Sequence, residues 1–452
     1  MTDRNDTIAA IATPPGSGGI GIIRMSGTQT EKILHRIFVP AGSKSSGNIE
    51  SHRMVYGHLT DGNDTIDECM SVFMRSPRSY TREDVAEIQI HGGYYVLNRA
   101  LQLCLREGAR LADAGEFTRR AFLNGRIDLS QAEAVMSMIT ARGEQEHKAA
   151  VRQLNGGASF FIRNISDELY SLQAGLAACI DYPDEISDEE GAGALKEGLE
   201  KLIRKLGDAI DEHSSRLIHQ GLRIALIGRP NVGKSSILNA LLGEERAIVT
   251  DIPGTTRDTV QGEITLNGIR ILLTDTAGIR DTEDPVERIG VERSVKAMEE
   301  ADASLLILDG SFPLSSDDIE IIRNFHGEGA AVINKSDLEM QITDQDIHAV
   351  RDDIQCMIVS AKDRESLKEL RDYLYRLTAV SDQISLTQPR HLDAAKRALH
   401  HLKDALITME RYTPDVCSTD LQSAQSALSE ITGDRADEQL LDRIFNQFCV
   451  GK

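Results

Sequence analysis

The chain has 452 residues, 40% of them hydrophobic, and a formal net charge of -21. That length predicts two to four domains with real cores. No segment approaches the ~18 uninterrupted apolar residues of a membrane span, and the acidic balance argues against a generic nucleic-acid binder while leaving room for a local basic patch. The polar start, Met1-Thr2-Asp3-Arg4-Asn5-Asp6, lacks the order of a signal peptide, so a cytoplasmic protein is expected. Six cysteines at 69, 104, 179, 356, 417 and 449 include no CxxC pair, which suggests neither a disulfide framework nor a zinc site.

In chain order, residues 1–118 mix apolar runs (Ile8 to Ala12, Ile20 to Ile23, Val85 to Ile90) with Gly/Pro turns and a helix from Tyr95 to Glu107, the texture of a compact α+β domain. Residues 119–219 turn helical. Ala132, Val135, Met136 and Ile139 repeat at helix spacing, and Ile203, Leu206 and Ile210 do so later. Asp181 to Glu190 carries six acidic residues and no basic ones, and reads as a solvated loop or helix start. From 220 to 378, short apolar strands (Arg223 to Ile227, Ile271 to Leu273, Leu305 to Leu308, Ala331 to Ile333) alternate with helices, predicting an α/β domain. Residues 379–452 are helical again. This order suggests an α/β domain inserted into a helical one built from 119–219 and 379–452.

The α/β segment carries the chemistry. Gly228-Arg229-Pro230-Asn231-Val232-Gly233-Lys234-Ser235 fits GxxxxGK[ST], follows a strand and opens a helix at Ser236. Its backbone N–H groups can turn toward phosphate oxygens, Lys234 can reach the β- and γ-phosphates, and Ser235 can ligate Mg²⁺. Asp275-Thr276-Ala277-Gly278 ends the next strand, where a carboxylate can hold the Mg²⁺ shell and a glycine N–H can sense the γ-phosphate. Thr255-Thr256-Arg257-Asp258 lies where a switch loop belongs, with Thr256 as second Mg²⁺ ligand. Asn334-Lys335-Ser336-Asp337 supplies a carboxylate that can accept two hydrogen bonds from guanine, and Ser360-Ala361-Lys362 completes the base site. These elements in this order predict a GTP-binding, GTP-hydrolysing domain. Ras-like enzymes place a water-orienting glutamine after the DxxG glycine; Ile279 stands there, so another group must position the water, and the acidic segment 281–287 is the candidate. No obvious arginine finger stands in cis, Arg257 and Arg280 being the candidates.

Beyond this domain, Ala12-Thr13-Pro14-Pro15-Gly16 with Gly18-Gly19-Ile20-Gly21, His91-Gly92-Gly93, Gly115-Glu116-Phe117-Thr118-Arg119-Arg120-Ala121-Phe122-Leu123-Asn124-Gly125, and the ending Phe448-Cys449-Val450-Gly451-Lys452 occur in one chain. Together with the nucleotide motifs they resemble the MnmE (TrmE) family of tRNA modification GTPases nearly end to end. The resemblance implies an N-terminal domain that binds a 5-formyl- or methylene-tetrahydrofolate and forms the homodimer, a helical domain, and an inserted G domain. It implies an MnmG-type flavoprotein partner using FAD and NADH, a heterotetramer with it, and an aminomethyl or carboxymethylaminomethyl group added to the wobble uridine of certain tRNAs. It places Arg24, Glu87, Arg126 and Lys452 in the folate site, with Arg126 where the family typically has lysine. It places the loop Thr250-Asp251-Ile252-Pro253-Gly254-Thr255-Thr256 in the GTP site, and makes Asn231, Thr250, Ile252 and Thr255 the ligands of an activating K⁺. Glu287 then matches the water-positioning glutamate. Cys449 is either a nucleophile on the modification pathway or a buried structural cysteine, and His91 receives no role. A tRNA partner needs a basic area, for which Arg390, His391, Lys396, Arg397 and Lys403 are candidates, unless the partner protein supplies it. A regulatory GTP switch without any modification role is the other class of reading.

Overall fold

A computed structural model describes residues 6–42, 49–181, 188–244, 262–275, 295–381, 386–411 and 414–452. Its contacts divide the chain into two compact units, one of 1–136 with 153–199 and 400–452, the other of 137–152 with 200–399.

The first unit opens with β1 (Ile8–Ile11), β2 (Gly18–Ser26), α1 (Thr30–Ile37), β3 (Phe38–Pro40), β4 (Met54–Asp61), β5 (Asp64–Met74), β6 (Val85–Gly92), α2 (Tyr94–Arg106) and β7 (Arg110–Leu111). The strands form one sheet ordered β3-β4-β5-β6-β2-β1-β7, antiparallel except for β1 with β7. Helices α1 and α2 present Ile33, Leu34, Ile37, Leu97 and Leu103 to Ile23, Met25, Phe73 and Ile88. Ile8 and Ala10, on the opposite face of β1, pack with Phe117. Burial on both faces explains why β1 reads as a continuous apolar run rather than an alternating one.

Then follow α3 (Glu116–Leu123), α4 (Leu129–Thr140), α5 (Glu144–Leu154), α6 (Gly157–Asp181), α7 (Asp188–Asp208) and α8 (Glu212–Gln220). Helix α6 packs along the later helix Pro414–Thr432. Two helical expectations shift here. Ile210 lies beyond the end of α7, whose inward stripe is Leu195, Leu199, Leu202 and Leu206. Ile139 is 47% exposed, the buried positions of α4 being Leu129, Ser130, Ala132 and Ala134. The C-terminal segment returns to the N-terminal sheet: Val450 bridges Ala114, and the Phe117 N–H donates to the Lys452 carbonyl at 3.2 Å. Gly451 (φ +97°) passes so close to the Ile11 carbonyl that a Cβ would collide with it.

An ionic cluster ties α3 to the start of β1. Arg120 donates to Asp6 (2.6 Å), Glu83 (3.2 Å) and Glu116 (2.9 Å), and Arg110 donates to Glu116 at 2.6 Å. Burial pushes the Glu116 carboxyl up. The bonds from Arg110, the Asp113 amide and Arg120 outweigh it and hold the group below its ordinary value of 4.5. A folded-state value below the unfolded one gives stability present above pH 4.5 and lost as pH falls through the folded value. Removing Glu116 strips a shared carboxylate from Arg120 and Arg110, which keep Asp6 and, for Arg120, Glu83, so Glu116→Ala is expected to cost about 2 kcal/mol at neutral pH. In denaturant unfolding, the gap between variant and wild type narrows below pH 4.5.

The second unit holds β8 (Leu222–Ile227), α9 (Lys234–Glu244), β9 (Gly262–Leu266), β10 (Ile269–Asp275), β11 (Ala303–Asp309), β12 (Gly329–Asn334) and β13 (Gln355–Ile358). The sheet order is β13-β12-β11-β8-β10-β9, with β9 antiparallel at the edge and the rest parallel. Strands β8, β11 and β12 are buried almost throughout, as a parallel sheet covered on both faces requires. The chain order reverses direction on either side of β8, which places a ligand crevice at the carboxyl end of that strand.

Candidate functional site

At that switch point, β8 ends in the loop 228–233 and α9 begins at Lys234. Gly228 (φ +136°), Asn231 (φ +65°) and Gly233 (φ +100°) adopt left-handed backbone. A Cβ on Gly228 would meet the Ile307 carbonyl of β11, so glycine is required to let the loop pass. Lys234 is 5% exposed, and its ammonium donates to the Gly228 and Arg229 carbonyls at 2.8 Å each. A buried ammonium at a helix N-terminus, wrapped by a loop of left-handed backbone, is an anion site built for phosphate.

The base-binding side is assembled from the ends of β12 and β13. Asp337 accepts from Ser360 Oγ and from Lys362 Nζ, both at 2.7 Å. These bonds, Lys362 first, hold the carboxyl below the usual range, so it is ionised at neutral pH. Asn334, 2% exposed, donates through Nδ2 to the Val232 carbonyl (3.0 Å) and accepts through Oδ1 from the Ala361 N–H (3.2 Å). One side chain thereby locks the phosphate loop to the loop that carries Ser360 and Lys362. Lys335 (φ +69°) donates to Asp309 at 2.5 Å and to the Asn231 carbonyl at 3.3 Å, adding a second tie. Burial raises the Asp309 carboxyl, but the Lys335 and Ser311 bonds outweigh it and keep the group ionised as the lysine's counter-charge. The Ser336 N–H donates to the Val359 carbonyl at 3.1 Å.

Asn231, Val232, Gly233, Lys234, Ser235, Ser236, Asn334, Lys335, Ser336, Asp337, Ser360, Ala361 and Lys362 thus fall along one edge of a single sheet, where Asp275 ends β10. Thr250, Asp251, Ile252, Pro253, Gly254, Thr255, Thr256, Thr276, Ala277, Gly278 and Glu287 lie outside the described residues.

In the first unit, β2 and β6 pair Arg24 directly with Glu87. Arg24 Nε donates to Glu87 at 2.8 Å and its terminal nitrogen to the Gly451 carbonyl at 3.0 Å. The Arg24 guanidinium stands 5.8 Å from the Tyr80 ring and 5.7 Å from Phe117, and Arg126 lies over Tyr80 at 4.7 Å. Arg24, Glu87 and Arg126 are therefore brought together with the C-terminal residues 451–452. Tyr80 is the member that sequence reading missed; nothing in its local pattern announces it.

Two expectations are corrected. Cys449 is exposed, which removes the buried structural alternative, and no hydrogen bond joins its thiol to a described residue. His391 is fully buried and offers no docking surface; Lys396 is paired with Glu212 (2.6 Å) and Arg397 with Asp393 (3.2 Å), both side chains staying near half exposed, and Lys403 is exposed.

The MnmE helical domain matches residues 129–449, and the GTP-binding protein TrmE N-terminus matches residues 7–126. The chain is 43% identical to the tRNA modification GTPase MnmE of Clostridioides difficile over 458 aligned residues, covering 99% of each protein. Its identity to the MnmE of Heliobacterium modesticaldum is also 43%, again over 99% of both. The chain belongs to the MnmE family. The chain is accordingly a GTP hydrolase, and its three parts are an α+β N-terminal domain, a helical domain and an α/β P-loop G domain. Among the described residues no helix is long and apolar enough to cross a membrane.

Proposed function

We propose that this MnmE-family GTPase acts with an MnmG-type flavoprotein to add an aminomethyl or carboxymethylaminomethyl group to the 5-position of the wobble uridine of certain tRNAs. The domains are 1–118, 119–219 with 379–452, and the inserted 220–378, in a cytoplasmic homodimer that joins its partner as a heterotetramer. The observation that carries this reading is the meeting of the Phe448–Lys452 end with the Arg24–Glu87 pair. It sets the Cys449 segment beside a face of two guanidinium groups, a carboxylate and the Tyr80 ring. Such a face suits a tetrahydrofolate: cations for the glutamate tail, a carboxylate for the pterin edge and aromatic surface for the ring. The folate supplies the one-carbon unit; Arg24, Glu87, Arg126 and Lys452 hold it, while FAD and NADH enter through the partner. Exposed Ile20 (65%), Tyr94 (78%) and Tyr95 (73%), at the end of the sheet where Gly18 pairs with Gly92, support self-association of this domain.

A tRNA digest from cells lacking the gene tests the reading: hypomodified wobble uridines are expected, and unchanged uridines would leave only a GTP switch. At the G domain, Ser235 and Thr256 hold Mg²⁺, Glu287 orients the attacking water, and K⁺ held by Asn231, Thr250, Ile252 and Thr255 replaces an arginine finger by neutralising charge between the phosphates. Hydrolysis is then expected to run about 10-fold or more faster in KCl than in NaCl at equal ionic strength, because a fitting cation stabilises charge that develops in the transition state. Equal rates remove the cation from Asn231.

A further inference from the structure

The side chain of Arg229, the second residue of the phosphate loop, points away from the crevice to a carboxylate on a neighbouring helix. Arg229 donates to Asp318 Oδ2 at 3.1 Å. Asp318 is 7% exposed and lies in the first turn of the helix Ser316–Asn324, which follows β11. Its Oδ2 also accepts from the Ser315 N–H (3.0 Å) and Ser315 Oγ (2.6 Å), while the Asp318 N–H donates back to Ser315 Oγ at 3.2 Å. The reciprocal cap fixes the carboxylate rigidly. The main chain of Arg229 meanwhile supplies one of the two carbonyls that hold the Lys234 ammonium. One residue therefore links a rigid anchor to the lysine on which phosphate binding depends.

Asp318 Oδ1 is buried and has no hydrogen-bond partner among the described residues. A carboxylate oxygen left in that state is costly, and a guanidinium that now meets only the other oxygen has the fork geometry to satisfy both. We infer that Asp318 is a positioning residue for GTP binding: through Arg229 it fixes the stretch of loop whose carbonyl holds the Lys234 ammonium until phosphate takes that ammonium over. When Lys234 turns from the carbonyl to phosphate, Arg229 is released to grip both oxygens of Asp318. The gain from that second bond favours the nucleotide-bound loop. Asp318 touches neither nucleotide nor reacting atoms, so its loss weakens binding more than chemistry.

The inference rests on the GTP site as described. If the wild-type chain failed to hydrolyse GTP, that site would be at fault and not the anchor. Steady-state hydrolysis by the full chain is measured for wild type, Asp318→Asn, Arg229→Met and Arg229→Lys, each with its melting temperature in the absence of nucleotide. Asp318→Asn and Arg229→Met are near in shape to the originals, which guards against misfolding. The expected result is a KM raised about 10-fold in both with kcat changed less than about 3-fold, and partial recovery in Arg229→Lys, whose ammonium reaches one oxygen only. A lowered melting temperature with unchanged KM would reduce the pair to a fold contact and overturn the inference. A fall in kcat at unchanged KM would overturn it too, by moving Arg229 to the transferring phosphate.

Discussion

Asp337→Asn is expected to lower affinity for GTP by about 10³-fold while admitting xanthine nucleotides in its place. Asp337 is ionised and acceptor-only, with its two oxygens engaged by Ser360 and Lys362 along one edge of the base site. Guanine offers two donors to such a group, N1–H and the exocyclic amine. An asparagine presents one oxygen and one NH₂, so the NH₂ faces the exocyclic amine of guanine and a buried donor is left unpaired. Xanthine carries a carbonyl at that position, which the new NH₂ can meet. Titration with fluorescent GDP and XDP analogues reads both halves of the exchange. Tight GDP binding retained by the variant, with no gain for XDP, would remove Asp337 from base recognition. The Lys362 side chain is 78% exposed and its ammonium bonds the same carboxylate, so a base that uses Asp337 is expected to exchange one donor for another.

The strands that carry the phosphate-loop and Asn334 motifs were legible because both are buried. Parallel strands covered on both faces are written as uninterrupted apolar runs, so Gly228 follows β8 and Asn334 ends β12, whereas Ser360 follows the half-exposed edge strand β13. The hairpin of β4 and β5 went unread for the opposite reason. Met54 and Tyr56 point outward and are exposed, and the buried face of β5 includes the polar Ser71 between Cys69 and Phe73, so no apolar run marks it. The β9–β10 hairpin does carry a local signal in the sequence. Asn267-Gly268 joins the strands with φ of +52° and +73°, the left-handed pair an Asn-Gly turn provides. Helix α7 was read in the wrong phase because Ile203 and Ile210 are apolar without being its core. The leucines at 195, 199, 202 and 206 continue the stripe at true helical spacing. The Arg24–Glu87–Gly451 junction joins residues more than 400 positions apart, and only the returning C-terminal segment creates it.

Lys234→Met removes the one group in the phosphate loop whose charge sits inside the protein, and hydrolysis is expected to fall by about 10³-fold or more. The loss has two parts. Ground-state binding weakens because a buried cation no longer answers the phosphates. The chemical step slows further because charge developing on the transferring phosphoryl group goes unanswered in a site where screening is poor. Fold is affected less. The Gly228 and Arg229 carbonyls lose a shared donor, but Asn334 still holds Val232 and Lys335 still holds Asn231, so the loop keeps both of its ties to the base side. Binding and chemistry separate in a single-turnover experiment at saturating GTP, with loop integrity followed by GDP binding. The expected pattern is a GDP affinity reduced about 10- to 100-fold and a single-turnover rate reduced far more, since an interaction stronger in the transition state costs more there than in the ground state. A variant that binds GDP normally and turns over within a few-fold of wild type would mean that the ammonium serves the loop's own carbonyls rather than the phosphates.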